Sequence, residues 1–341
     1  MTVNENLKKY DPGGMHSVYD RWADLARDAY TSEIQAVDFK NIDHVVFAGM
    51  GGSGAIGDLF ASILSKTDIH TSVVKGYTLP KTVDKNSLVV CISVSGNTDE
   101  TLSILKQTTN LDCKTIGFSS GNMLETFCKE NNIEFRKIPK IHSPRASFPI
   151  FVYSILKTIR TIIPIKENDV LLSLDSLDKL QNEISSKNIS ENNSSLNVAN
   201  WITGVPVIYY PWGLESAAIR FKNSLQENAK NHAIVENVIE SGHNGIVSWE
   251  RSSEMSPIMI KGTDDHIKTK ERWKILRQYF DENQIKYKEI VSVDGGILSK
   301  IVCLIYLLDY ATIYYAVRLG INPSQMRSIN YIKEKIDSLR L

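Results

Sequence analysis

The sequence predicts an α/β protein with two similar halves, each a parallel sheet that helices cover on both faces. Short apolar runs alternate with longer helical patterns, which is typical of such sheets. The alternation stops in a polar stretch and then restarts. A chain of 341 residues is also long enough for two domains. The two halves share no obvious sequence identity, so this repetition is inferred from pattern alone.

The first half contains five predicted strands and a closing helix. The strands are His44–Ala48, Thr71–Val74, Ser87–Val94, Lys114–Phe118 and Glu134–Ile138. They are short and mostly apolar, as strands buried on both faces of a parallel sheet are. A helix from about Ser147 to Ile163 follows. We therefore expect an N-terminal domain with a leading helix at residues 1–165.

The second half follows a connector. Residues 166–200 include the polar run LDKLQNEISSKNISENNSSLN, which predicts a linker between domains. The strands after it are Val205–Pro211, His232–Val238, Ser256–Gly262 and Lys286–Val293, followed by helices at 297–318 and from about Pro323 to Leu339. Asp309 lies in the middle of the apolar helix, which favours a buried core helix over a membrane span. The expected C-terminal domain is 201–341.

The composition excludes some classes of function. The 39 basic and 39 acidic side chains cancel, and this balance argues against nucleic-acid and membrane-surface binding. The four cysteines form no C-x-x-C pair, which is typical of buried free thiols in a reducing compartment. The start, MTVNENLKKY, has no apolar core of a signal peptide. We therefore expect a cytoplasmic protein.

A glycine-rich loop follows the first strand. The sequence GMGGSG satisfies the dinucleotide pattern G-x-G-x-x-G at Gly49, Gly51 and Gly54. However, no acidic residue that would bind a ribose stands at the end of the second strand, where Val74-Lys75-Gly76 is found. The loop therefore favours a single phosphate over a dinucleotide. The residues expected to contact the ligand here are Gly51, Gly52 and Ser53.

A second loop, SVSGNTDET, follows the third strand. It carries three hydroxyl groups around a glycine, on Ser93, Ser95 and Thr98. Asn97 and Glu100 have the spacing of a capping box, which predicts a helix N-terminus at this point. Hydroxyl donors and the positive end of a helix dipole both favour a bound dianion. Together the two loops predict a site for one sugar phosphate.

These motifs resemble those of the SIS (sugar isomerase) family. The similarity covers GMGGSGAIGDL, SVSGNTDET, SPRASFP and SLQENAKNHAIVENVIESGHNGI, in order along nearly the whole chain. The best resemblance is to the bifunctional phosphoglucose/phosphomannose isomerase branch. It implies two tandem flavodoxin-like SIS domains plus a C-terminal helix. It also implies interconversion of glucose 6-phosphate, and of mannose 6-phosphate, with fructose 6-phosphate through a cis-enediol intermediate.

The resemblance also implies roles for individual residues. Glu227 matches the base, Arg145 the arginine that stabilises the intermediate's charge, and His243 the ring-opening histidine supplied by the partner subunit of a homodimer. Lys333 matches a lysine that assists ring opening, although spacing alone does not separate it from Lys335. Without the resemblance, Glu227 reads as a solvated helix-end carboxylate, His243 as a structural loop residue and Arg145 as a surface guanidinium.

The chain departs from the family pattern at two places. It has His243-Asn244-Gly245 where relatives usually read H-N-E, and Gly320-Ile321-Asn322-Pro323-Ser324-Gln325 where they often read G-x-D-P-T-P. Activity on mannose 6-phosphate is therefore less firmly implied than activity on glucose 6-phosphate. Because the histidines are scattered, we expect no metal and no cofactor. An amino-sugar phosphate isomerase and a non-catalytic sugar-phosphate sensor remain as alternatives.

Overall fold

The computed structural model describes residues 2–338, which contain nine strands in two parallel sheets. The first sheet consists of β1 (His44–Ala48), β2 (His70–Val74), β3 (Ser87–Ser93), β4 (Lys114–Ser119) and β5 (Glu134–Lys137). The second consists of β6 (Pro206–Tyr210), β7 (Ile234–Asn237), β8 (Ser256–Lys261) and β9 (Lys288–Val291). Each strand lies within two residues of its predicted bounds. The prediction of two parallel sheets is confirmed.

Helices cover both sheets. Those of the first half are α1 (Val3–Tyr10), α2 (Met15–Tyr19), α3 (Trp22–Thr31), α4 (Gly52–Leu64), α5 (Asp99–Thr108), α6 (Asn122–Glu130) and α7 (Phe148–Thr158). The others are α8 (Glu167–Ile184), α9 (Ser194–Trp201), α10 (Glu215–Ala229), α11 (Val238–Ser241), α12 (Ile267–Glu282), α13 (Ile297–Arg318) and α14 (Arg327–Ser338), with a 3-10 turn at Gly245–Glu250. Three helices therefore precede the first strand, where the sequence predicts one.

The strand orders create two crevices. The first sheet has the order β2-β1-β3-β4-β5 and the second the order β7-β6-β8-β9. The direction of winding therefore reverses between β1 and β3, and again between β6 and β8. At such a reversal the loops at the carboxyl ends of the strands diverge and leave room for a ligand. We call the loops 49–54 and 93–98 the first crevice, and the loops 211–214 and 262–266 the second crevice.

Helix α13 lies in the shared core. Within residues 2–338 it is the one helix long and apolar enough to cross a membrane, but 89% of its apolar window is buried inside the fold. Its residues belong to one core cluster that also contains Val45 of β1 and Ile208 of β6. The expectation of a buried core helix is confirmed, and this helix joins the two halves.

The predicted connector is mostly helical. Residues 166–200 form α8 and most of α9, and both helices pack against α13. Helix α8 buries Val170, Leu174, Leu177, Leu180 and Ile184. The apolar residues thus follow a helical period that the polar residues between them obscure in the sequence. The division into domains at this stretch stays a prediction.

Two helix boundaries differ from those predicted. Helix α7 ends at Thr158 rather than near Ile163. Helix α14 begins at Arg327 rather than near Pro323, because the preceding residues form a turn in which the Ser324 N–H donates to Asn322 Oδ1 at 2.8 Å. The predicted end of this helix at residue 339 lies outside the described residues.

Candidate active site

The two loops of the first crevice are in contact. Strands β1 and β3 are adjacent and parallel, so the loops leave the sheet side by side. The backbone N–H of Val94 donates to Ser53 Oγ at 3.4 Å. At Gly49 a Cβ atom would lie 2.9 Å from the Ile92 carbonyl oxygen, so a side chain there would push the loops apart. The structure therefore brings the predicted phosphate loops together.

The hydroxyl groups of the loop 93–98 form a hydrogen-bonded cluster. Ser93 is buried, and its Oγ lies 2.9 Å from Thr98 Oγ1 and 3.5 Å from Ser95 Oγ. It also accepts a hydrogen bond from the Gly96 N–H at 3.0 Å. Ser95 and Thr98 are partly exposed. Ser93 therefore fixes the shape of the loop, while the other two hydroxyls are accessible to a ligand.

Helix α5 begins without a side-chain cap. Its N-cap is Thr98, whose hydroxyl pairs with Ser93. Asn97 Oδ1 accepts instead from the N–H of Met123 at 3.2 Å, so the predicted capping box of Asn97 and Glu100 is wrong. Because no side-chain oxygen caps this end of α5, the positive end of its dipole remains available to an anion.

The backbone of the loop 49–54 is open to a ligand. Gly51 is the N-cap of α4 with φ of 54°, and a Cβ atom there would meet nothing within 4 Å. At Gly52 a Cβ atom would lie 3.6 Å from the backbone N and Cα of Arg145. Ser53 is 5% exposed and keeps its hydroxyl hydrogen for donation, since it accepts from Val94. The loop therefore combines room for a ligand with close contact to Arg145.

Arg145 links this loop to α10. Its side chain is 3% exposed. Its Nε donates to Asn228 Oδ1 at 2.7 Å, and its Nη1 donates to Glu227 Oε2 at 3.0 Å. Its Nη2 donates to the carbonyl oxygen of Pro323 at 2.7 Å. Two predicted catalytic residues, Arg145 and Glu227, are thus in direct contact, and the guanidinium is far more buried than a surface one.

Glu227 faces a cavity. It lies in the last turn of α10 with 26% of its side chain exposed. It lines a cavity of about 680 Å³ together with Lys230, Asn322 and Met326. A carboxylate that is held by a guanidinium and open on another side has the placement that a general base needs. Glu227 is therefore oriented by Arg145 rather than free in solvent.

Family models match both halves of the chain. Residues 38–154 match a model described as SIS domain, and residues 191–336 match one described as Bacterial phospho-glucose isomerase C-terminal SIS domain. The chain belongs to the SIS family. The paired loops of the first crevice lie within the first matched range, whereas Glu227 lies within the second.

Relatives of this SIS protein match over most of its length. It is 29% identical, over 92% of its chain and 94% of the relative, to "Bifunctional phosphoglucose/phosphomannose isomerase" of Aquifex aeolicus. It is 28% identical, over 95% of its chain and 99% of the relative, to "D-glucosamine-6-phosphate 4-epimerase" of Sulfolobus acidocaldarius. The structure of tagatose-6-phosphate ketose/aldose isomerase from Escherichia coli matches with a TM-score of 0.65 at 14% identity, covering 94% of each chain. That structural match shows the fold alone.

Lys230 is a site residue of this SIS protein that the sequence did not reveal. It is the C-cap of α10 in a left-handed conformation, with φ of 55°. Its Nζ donates to the carbonyl oxygens of Glu227 at 2.8 Å and Asn322 at 3.0 Å. Burial, reinforced by the charge of Arg145, lowers the pKa of Lys230 to about 8. Its position three residues after Glu227, in the sequence ENAK, is the one signal that could have indicated it.

A buried ion pair holds the backbone of Arg145 in place. Arg220 of α10 donates from Nη2 to Asp309 Oδ2 at 2.7 Å and to the carbonyl oxygen of Arg145 at 2.9 Å. Asp309 also accepts from Ser224 Oγ at 2.5 Å and from Tyr19 Oη at 3.2 Å. Burial opposes the charge on Arg220, but Asp309 outweighs it and raises the pKa of the guanidinium. This pair joins α10 to α13 beneath the site.

His243 and Lys333 are both exposed in a single chain. His243 follows α11 in an exposed loop, and Lys333 is exposed on α14, as is Lys335. Within residues 2–338 of a single chain, neither His243 nor Lys333 contacts Arg145 or Glu227 through a hydrogen bond or ion pair. No group of three or more His, Cys, Asp or Glu residues in the described part of the chain is placed to hold a metal ion.

Proposed function

We propose that this SIS protein is an aldose–ketose isomerase. It interconverts glucose 6-phosphate, and mannose 6-phosphate, with fructose 6-phosphate. The observation that carries this proposal is the contact between Arg145 and Glu227 at 3.0 Å, beside a loop that packs against the hydroxyl-rich turn. An isomerase relative that matches over 92% of the chain supports it.

The first crevice supplies the phosphate site. Hydroxyl groups of Ser53, Ser95 and Thr98 donate to the phosphate oxygens, and Ser93 holds their arrangement. Gly51 and Gly52 let the sugar phosphate approach the backbone at the N-terminus of α4. A dianion at two helix N-termini is stabilised by their dipoles and by unpaired N–H groups. The sugar then extends from the phosphate toward Arg145 and Glu227.

Glu227 moves the proton between carbons. As general base it removes the proton from C2 of the opened aldose, which leaves a cis-enediolate. A proton then moves from O2 to O1, and Glu227 returns its proton to C1 to give the ketose. Arg145 donates hydrogen bonds to the developing negative charge on the enediolate oxygens. Glucose 6-phosphate and mannose 6-phosphate differ at C2 alone, and this difference disappears in the enediolate. One base therefore serves both sugars if the open chain rotates about the C2–C3 bond, which brings the C2 proton of either epimer to Glu227.

Ring opening requires a proton carrier, and within residues 2–338 of one chain neither His243 nor Lys333 is joined to Arg145 or Glu227 by a hydrogen bond or ion pair. His243 of a partner subunit carries the ring-opening proton, with Lys333 assisting, and the active protein is a homodimer. The exposure of His243 supports this assignment. The exposed Ile329, Ile332 and Ile336 repeat at the spacing of one helix face on α14, and a second copy would cover that face. The four free cysteines support a cytoplasmic location.

A coupled assay for fructose 6-phosphate tests the proposal. Either glucose 6-phosphate or mannose 6-phosphate should yield fructose 6-phosphate, with unchanged rates after a chelator. Binding of both sugars without any product would favour the sensor, and loss of activity with chelator would overturn the metal-free mechanism. Glucosamine 6-phosphate belongs in the same assay, since one relative is named as its 4-epimerase. Epimerisation at C4 without isomerisation would replace the proposed reaction.

A further inference from the structure

The second crevice encloses a cavity that the isomerase reaction does not use. Its volume is about 280 Å³. It lies between the loops after β6 and β8, where the winding of the second sheet reverses, and it is closed by the end of α4 and the start of α13. This is the position at which open parallel sheets bind ligands. It corresponds in the second sheet to the phosphate site in the first.

Glycines keep the walls of this cavity open. Gly213 and Gly295 have φ of 97° and 115°, which favour glycine. Gly296 is the N-cap of α13, and a Cβ atom there would meet nothing within 4 Å. Gly51 has the same property in the first crevice. A ligand can therefore approach the backbone at both crevices.

An exposed tryptophan forms one side of the cavity. Trp212 is 60% exposed, and Lys66 Nζ lies over one face of its ring, 5.8 Å from the centroid, which leaves the other face for stacking. An indole ring is costly to leave in water, and its face attracts the polarised C–H groups of a sugar ring. Trp22 and Trp273, by contrast, are both 2% exposed in the core. Trp212 therefore provides a stacking surface next to polar groups.

The charges that line this cavity balance. Lys66 and Lys300 face Asp264 and Asp265, and Lys300 is paired with Asp264. Asp265 is held in place because its Oδ2 accepts from Trp273 Nε1 at 2.8 Å and from the Gly262 N–H at 3.1 Å. Carboxylates accept hydrogen bonds from hydroxyl groups but repel a phosphate. The lining thus favours an uncharged ligand with many hydroxyl groups.

We propose that the second crevice binds an uncharged monosaccharide. The sugar ring stacks on Trp212, its hydroxyl groups donate to Asp264 and Asp265, and Lys300 donates to a sugar oxygen. The volume is near the lower end of ligand cavities, ~300–1,000 Å³, so one ring fits and a longer chain does not. This site is independent of the proposed isomerase activity.

Glucose is the probe for this site. Titration of the full-length protein should give saturable binding by ligand-observed NMR, with a parallel change in tryptophan fluorescence. Trp212→Ala should weaken binding at least ~10-fold, about 1.4 kcal/mol, whereas Trp212→Phe should keep most of it. Asp264→Asn should weaken binding, and Asp175→Asn, which removes an exposed ion-paired carboxylate of α8, should not. Both Trp212 and Asp264 are exposed, so these variants should fold.

Three results would overturn the proposal. The first is absence of saturable glucose binding at tens of millimolar. The second is inorganic phosphate competing with glucose, which would indicate an anion site instead. The third is glucose binding that persists in Trp212→Ala but disappears in Glu227→Gln, which would place the sugar in the first crevice. Retained glucose binding in Glu227→Gln, with isomerase activity lost, supports two separate sites.

Discussion

The two crevices occupy the same place in two similar sheets and differ in nearly every side chain. In the first, residues 49–54 and 93–98 supply glycines and hydroxyl groups beside a buried arginine. In the second, residues 211–214 and 262–266 supply an indole ring and two carboxylates. The parallel sheet fixes where a ligand binds, and the loops decide its charge.

The ion pairs next to the two crevices also differ in how exposed their carboxylates are. Asp309, which pairs with Arg220 below the first crevice, has a side chain that is 0% exposed. Asp264, which pairs with Lys300 at the second, has a side chain that is 76% exposed. A fixed base and a fixed cation need rigid support, because proton transfer depends on sub-ångström placement. A site that only binds a ligand does not need that rigidity.

Replacing the proposed base, Glu227, should give the largest effect on activity and is the most direct test of the role of the first crevice. Glu227→Gln keeps the size of the side chain but cannot accept the C2 proton, so kcat should fall ~10²–10⁴-fold. The control is Glu282→Gln, which alters a glutamate at the end of α12 in the same half. Steady-state kinetics with glucose 6-phosphate measure both. Equal, mild effects of the two changes would show that the first crevice does not hold the base.

Breaking the ion pair at each crevice should lower the free energy of unfolding by different amounts. Asp309→Asn leaves the Arg220 charge buried without its partner and should lower the free energy of unfolding by about 3–5 kcal/mol. Asp264→Asn removes the exposed partner of Lys300, whose own side chain is 6% exposed, and should cost less, about 1–3 kcal/mol. Urea unfolding measures both values.

The double variant Arg220→Met with Asp309→Leu serves as a control for this comparison. It removes both buried charges and should regain much of the stability that Asp309→Asn loses. If Asp264→Asn were the more destabilising single change, the assignment of rigid support to the first crevice would be wrong.

Local sequence pattern predicted the sheets and the loop positions. Strands such as β1, with all five residues buried, are continuous apolar runs that the chain shows directly. The roles of Arg145 and Glu227 came from family resemblance, because spacing alone allows surface positions for both. The hydroxyl cluster was found because its members lie within six residues of one another, Ser93 to Thr98.

Contacts between distant residues were not predictable. Arg220 and Asp309 are 89 positions apart, and although Asp309 marks α13 as a core helix, nothing in the sequence identifies its partner. Lys230 acquires its contacts from a left-handed backbone at the end of α10 and from the turn at Asn322. The capping box failed because Met123, distant in the chain, takes the Asn97 oxygen.

Deleting one hydroxyl group tests whether the first crevice binds the phosphate of the substrate. Ser95→Ala removes one partly exposed donor and should raise KM for glucose 6-phosphate by about 5- to 150-fold, or about 1–3 kcal/mol, with little change in kcat. Ser103→Ala is the control, since this hydroxyl donates to the Tyr77 carbonyl oxygen on the outer face of α5. A loss confined to kcat would contradict a phosphate-binding role for Ser95.

The smallest expected effect concerns the lysines of the two crevices. Lys230 donates to backbone carbonyl oxygens beside the first crevice, whereas Lys300 pairs with Asp264 in the second. Burial lowers the pKa of Lys230 to about 8 in the folded protein, below ~10.4 for an unfolded chain. Between these values the unfolded chain holds more protons, so stability should rise with pH through this window and stay level below about pH 8, where both states are protonated.

The measurement is the free energy of unfolding of wild type minus that of Lys230→Met at several alkaline pH values. This difference should shift in favour of wild type between about pH 8 and ~10.4. Lys274→Met, which removes an exposed lysine of α12, is the matched control. A flat profile for Lys230→Met would mean that the lysine is solvated in the folded protein. The hydrogen bonds of Lys230 to the carbonyl oxygens of Glu227 and Asn322 would then not withdraw its ammonium group from water.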